Sequence, residues 1–138
     1  HIKIYGATTT LTRRIRMMRQ FLISSVLVMC LARTGFCGEA DVVGVDVART
    51  GQGVFRFDVT VKHDDTGWDH YADKWEIITP NGTLVGTRVL HHPHVGKQPF
   101  TRSLSGIRVP ESIDEVTVRV HDSIYAYGGA TITVKIPH

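Results

Sequence analysis

The chain has 138 residues, 42% of them hydrophobic, with a net charge of +3 and two cysteines. Six of its sixteen basic residues but only one of its thirteen acidic residues precede Asp41, so the remainder carries about −2 with histidines neutral. The basicity belongs to the first forty residues, and the alternating charges that follow hold no basic stripe of the kind nucleic acid selects.

Those forty residues read as an export leader with an upstream extension. Arg13, Arg14, Arg16 and Arg19 form a positive region, residues 21–32 (FLISSVLVMCLA) an apolar run, and Gly38-Glu39-Ala40 a small-residue cleavage site. The expected mature N-terminus lies between Gly38 and Asp41, with Met17 or Met18 a natural start for such a leader. Twelve apolar residues are too few to span a bilayer as a helix. The expected organisation is a signal peptide and extension over residues 1–40, then one periplasmic or secreted domain over residues 41–138. Cys30 and Cys37 both precede that cut, leaving a domain without a disulfide. Phe36 precedes Cys37 where a lipid-attachment motif wants a small residue, so no lipid anchor is expected.

After Asp41 the hydrophobic period is two. Asp41–Arg49 is expected as a strand with Val43, Val45 and Val47 on one face. Val54–His63 follows with Phe55, Phe57, Val59, Val61 and His63 inward, then a polar loop, Asp64–Tyr71. Asp73–Thr79 holds Trp75 as a core anchor and Ile77, and Pro80-Asn81-Gly82 is the clearest turn signal in the chain. A three-residue loop there, with Gly82 left-handed, pairs Trp75 with Thr87 and puts Trp75, Ile77, Val85 and Val89 on one face; a two-residue loop moves the register by one. Thr83–His91 is the return strand and His92–Pro99 a loop. Phe100–Ser105 is expected as a short edge strand, Ile107–Glu111 as an irregular connection, Glu115–His121 and Ala130–Ile136 as the last strands. About seven short antiparallel strands in roughly 100 residues, with no helical stripe, describe an all-β two-sheet sandwich of the immunoglobulin or fibronectin type III kind, with a closed small barrel as the alternative.

Chemistry-bearing side chains concentrate in GWDHYADKWE and RVLHHPHVGKQPFTR. The three-residue loop, extended, sets His70 opposite His92. Imidazoles at that spacing suit Cu(II) or Zn(II), so the candidate metal ligands are His70, His91, His92, His94 and Asp69, with Asp73 able to orient a ring from behind. Without cysteine a blue-copper centre is excluded. The competing reading is a solvated histidine loop. His63, at the end of a core-facing row, is expected as a hydrogen-bonded histidine, His121 as solvated, and Asp64 and Asp65 as turn residues. Trp68, Tyr71, Tyr125 and Tyr127 form either an aromatic binding rim or core and sheet edge. Ser103 and Ser105 have no nucleophile-elbow context, so an enzyme is not expected.

The function expected is an exported, monomeric, non-enzymatic binding module, holding copper or zinc if it holds a cofactor at all. The alternative is a metal-free interaction or envelope-assembly module. The string GWDHYADKWEI, with GTRVLHHPHVGKQPFTRSLSG and HDSIYAYGG, resembles a group of small exported bacterial β-sandwich proteins of unassigned function. That resemblance implies a compact secreted β-domain and transfers no catalytic residue.

Overall fold

The computed structural model describes residues 38–138. Of the leader expected over residues 1–40, residues 1–37, with Cys30 and Cys37, lie outside the described residues. Seven strands follow in order: β1 (Asp41–Gly51), β2 (Val54–Lys62), β3 (Ala72–Ile78), β4 (Leu84–Val89), β5 (Phe100–Arg108), β6 (Glu115–Asp122) and β7 (Ile132–Lys135). They form two antiparallel sheets, β1-β2-β5 and β4-β3-β6-β7. Among the described residues no helix is long and apolar enough to cross a membrane.

The alternation in the sequence explains the core. Phe55, Phe57, Val59 and Val61 of β2 face Trp75 and Ile77 of β3 and Val116, Val118 and Val120 of β6, all essentially without solvent exposure. Burying large side chains of this kind stabilises by about 1.5–3 kcal/mol each, which is how two sheets cohere without a covalent link between them.

Three departures from the expected pattern come from bulges, where one extra residue reverses the face that follows. In β1 the pairing jumps between Val42↔Val61 and Gly44↔Thr60, so Val42 is buried and Val43 points to solvent. In β5 it jumps between Phe55↔Ile107 and Phe57↔Leu104, with Gly106 at φ 73°. The strand therefore continues to Arg108 and returns Ile107 to the core, where an irregular connection was expected.

The third bulge settles the β3–β4 register. The turn is the three-residue loop anticipated: Thr79 N donates to Thr83 O (2.9 Å), Gly82 N donates to Thr79 O (2.9 Å), and Gly82 has φ 85°. The pairing then slips between Ile78↔Leu84 and Ile77↔Gly86. Trp75 consequently faces Arg88 rather than Thr87, and Val89, expected beside it, is exposed opposite Lys74. The slip brings Gly86 under the opposite sheet, where a Cβ would come within 2.8 Å of Ile107 Cδ1 and 3.3 Å of Leu104 Cδ2. Those side chains occupy the space a larger residue would need.

Candidate metal centre

β2 and β6 end at the same end of the sandwich, and the inward alternation of each runs one residue into polar chemistry. His63 follows Val59 and Val61 in the buried row of β2. Asp122 follows Val118 and Val120 in that of β6. β3 begins there too, opposite Asp122 (Ala72↔Asp122). Just before it a tight turn, closed by the Gly67↔His70 bridge, delivers His70. The chain enters the domain at this end through Gly38.

His63 Nε2, His70 Nε2 and Asp122 Oδ2 converge within 4.8 Å of one another, a group able to coordinate a metal ion. Asp122 Oδ2 lies 2.7 Å from His70 Nε2 and closer still to His63 Nε2. The Gly38 carbonyl oxygen is 2.9 Å from His63 Nε2 and 3.1 Å from His70 Nε2. The side chains of His63 and Asp122 are wholly buried, and that of His70 is 21% exposed. The group is therefore internal, with one ring open to solvent, and not the surface cluster expected.

Each member is oriented from behind. Asp122 Oδ1 accepts hydrogen bonds from Ile124 N (2.6 Å) and Tyr125 N (2.9 Å), leaving Oδ2 for the imidazoles. Asp65 Oδ1 meets His63 Nδ1 and accepts from Ala72 N (3.1 Å), while its Oδ2 accepts from His94 N (2.6 Å). A carboxylate on the far nitrogen of a histidine fixes the ring and its tautomer, the usual support of a metal-ligating imidazole. The proton on Nδ1 goes to Asp65, so the Nε2 lone pair of a neutral His63 points at two oxygens that are themselves acceptors. Only a proton or a cation satisfies that arrangement.

The charge balance agrees. Burial disfavours the His63 cation, but the Asp65 hydrogen bond, the Gly38 carbonyl and the nearby Asp122 charge together hold its pKa above the ordinary value. Burial pushes Asp122 upward, and the Tyr125 and Ile124 amides, His70 and His63 overcome it, holding its pKa below the carboxylate range. The site favours positive charge at the point where the donors meet.

The expected ligands divide. His70 is in the group. Asp69 is exposed at the tip of the 67–70 turn, and His91 and His92 are exposed. His70 and His92 are not brought together, because the β3–β4 ladder closes at the Leu90 N to Asp73 O bond (2.8 Å) and the two chains part beyond it. His92 instead lies against His94, ring centroids 4.7 Å apart. His94 is buried and stacks on Phe100 at 3.9 Å, and its Nε2 accepts from Arg102 Nη2 at 2.8 Å. Burial, Arg102 and His92 hold its pKa below the ordinary value. Asp73 partners His121 Nδ1 (2.6 Å). His63, Asp65 and Asp122 were missed as site residues. The available signal was a polar residue continuing an inward apolar row, which His63 and Asp122 both show.

The aromatic residues also separate. Tyr125 meets His70 edge-on at 5.4 Å and Trp68 meets Tyr71 at 5.6 Å, while Tyr127 lies under Arg119 at 4.1 Å. Trp68, Ile124 and Tyr125 stand exposed at the site's end of the domain.

No family model matches the chain, and no solved structure matches it. A protein of Halomicrobium mukohataei described as "Putative lipoprotein" is 45% identical to it over 96 residues. The match takes in 70% of this chain and 47% of that relative, so the chain spans about half the relative's length.

Proposed function

We propose that the protein is an exported, non-enzymatic binding module that holds a transition metal ion, zinc or copper(II), at His63, His70 and Asp122. The observation that carries this reading is the meeting of two imidazole Nε2 atoms and a buried carboxylate oxygen around one point, with Asp65 fixing His63 from behind. Two imidazoles and a carboxylate are a donor set that suits zinc and copper(II). Asp122 and Asp65 supply two buried negative charges, matching one divalent ion. Export is supported by the arginine-led apolar run and by the relative's description. The strand order β1-β2-β5 and β4-β3-β6-β7 supports a sandwich of the fibronectin type III kind.

The experiment is thermal melting of chelator-treated protein purified without a histidine tag. Zinc or copper(II) at about a hundredfold excess over its dissociation constant stabilises the folded state by about 2.7 kcal/mol, a rise on the order of 10 °C for a domain of this size. The rise should fade as pH falls through the raised pKa of metal-free His63, where protons compete with the ion for the imidazole nitrogens. A melting curve that neither metal moves at pH 7.5 overturns the reading. In its place stands an interaction module, whose support is the exposed Trp68, Ile124 and Tyr125 group.

A further inference from the structure

We infer that the main-chain carbonyl of Gly38 is a fourth donor of the metal centre, and that the exported protein therefore keeps Gly38, with processing upstream of it. The inference rests on the metal reading above and adds a ligand and a boundary to it.

The carbonyl oxygen lies 2.9 Å from His63 Nε2 and 3.1 Å from His70 Nε2, and Asp122 Oδ2 lies 2.7 Å from His70 Nε2. The two separations to the carbonyl oxygen come near the edge of about 3.3 Å that a tetrahedron of 2.0 Å bonds requires, while Asp122 Oδ2 stands closer than that to both imidazoles and has to draw back to admit an ion. An amide oxygen is a neutral donor, so it completes the set without adding charge to a centre already balanced by Asp122 and Asp65.

The segment carrying this carbonyl is fitted into the domain. Ala40 is 1% exposed and belongs to the hydrophobic core. Asp41 Oδ1 accepts from Ala130 N (2.7 Å), and Val42 N donates to Ala130 O (2.9 Å). The loop after β6 is shaped around residues 38–40. A Cβ on Gly129 would lie 1.7 Å from the Ala40 carbonyl oxygen, and one on Gly128 would lie 2.3 Å from Glu39 Oε1. A Cβ on Gly38 would come within 2.7 Å of Tyr125 Cε2. Glycine is required at 129, where backbone meets backbone, and at 38, where backbone meets a ring; at 128 the neighbour is the flexible Glu39 side chain. Cleavage after Ala40, where the small residues suggest it, would remove a core residue, empty this groove and take a donor from the site.

Export from a host that recognises the leader, followed by zinc titration, tests both parts on the wild-type protein. Label glycine with carbonyl 13C and glutamate with 15N. Gly38-Glu39 is the one Gly-Glu step in the sequence, so a carbonyl-to-amide NMR correlation reports that peptide alone. The expected result is one peak, displaced along the carbonyl axis and saturating at one equivalent of zinc. Absence of any peak, with intact mass placing the N-terminus at Asp41, overturns the inference. An unmoved peak while the melting temperature rises removes Gly38 from the ligand set and leaves the three-residue centre standing. An unmoved peak in zinc, with a melting temperature that neither zinc nor copper(II) moves, overturns the metal reading, and the fourth donor with it. As a second measurement, Gly38→Val in the full chain forces the strap off Tyr125. It should weaken zinc binding about tenfold or more with the β-sheet circular dichroism retained; undiminished affinity counts against the carbonyl.

Discussion

Two groups of histidines occupy this domain, and they differ in how the chain assembles them. His91, His92 and His94 are neighbours in sequence, yet His91 and His92 project into solvent and His94 is turned onto Phe100 beneath Arg102. His63 and His70 stand at the two ends of the connection between β2 and β3, one closing the buried row of β2 and the other just before β3, and with Asp122 at the end of β6 they meet at one point. Density of imidazole along a chain is therefore a poor guide to convergence. What counts here is that β2 and β6 end together and that each extends its buried row by one polar residue. Asp65 joins the groups, receiving the His63 ring on one oxygen and the His94 amide on the other.

The sharpest way to break this contrast is Asp122→Ala. It removes a fully buried carboxylate that faces two imidazoles and accepts two backbone amides. Loss of one partner from a buried charged pair costs about 3–5 kcal/mol, so the urea midpoint of the metal-free protein should fall steeply. The same change should abolish the response to zinc. A midpoint near that of wild type would show the cluster to be energetically idle.

Next come parallel substitutions in the two groups. His63→Ala or His70→Ala should remove the zinc-dependent rise in melting temperature. His91→Ala and His92→Ala should leave that rise in place, and His91→Ala, at an exposed position, should change stability by no more than about 0.5 kcal/mol. A zinc response that follows His92 instead would move the metal to the loop.

The smallest effect separates two buried histidines by pH. In metal-free protein His63, between Asp65 and Asp122, should titrate above 6.5, and His94, facing Arg102, His92 and Lys97 with only Asp65 to offset them, below it. The signs for stability follow. The contribution of His63 is complete below the unfolded value near 6.5 and is lost as pH rises through its folded pKa. That of His94 is complete above 6.5 and is lost as pH falls through its folded pKa. NMR titration of the two rings checks this, and coincident curves would contradict it.

Much of the fold was legible because β-periodicity is local. The alternation in Val54–His63 and Glu115–His121 marks the central strands, and Pro80-Asn81-Gly82 marks the turn between β3 and β4. The bulges at Val43, Val85 and Gly106 were not legible. The one at Val85 answers to the opposite sheet, since it places Gly86 where Ile107 and Leu104 need room. The site was half legible for a related reason. His70 stood out in an aromatic, acidic loop. His63 was seen in the right row but read as a structural group, because Asp122, which completes the set, lies across the sandwich. Extrapolating the β3–β4 ladder to His92 failed once Val85 shifted the register and the strands ended.

The scattered origin of the cluster has a consequence for the unfolded chain. His70 and Asp122 are 52 residues apart in sequence. Closing a random coil over that length costs about 3–4 kcal/mol of chain entropy before any donor meets an ion. An unfolded chain thus holds a cation poorly at these residues, whereas it presents His91, His92 and His94 together without any fold at all. Affinity at the loop would be shared by both states and would cancel. Affinity at the converged donors belongs to the native state alone, so the binding energy there goes into keeping the domain folded.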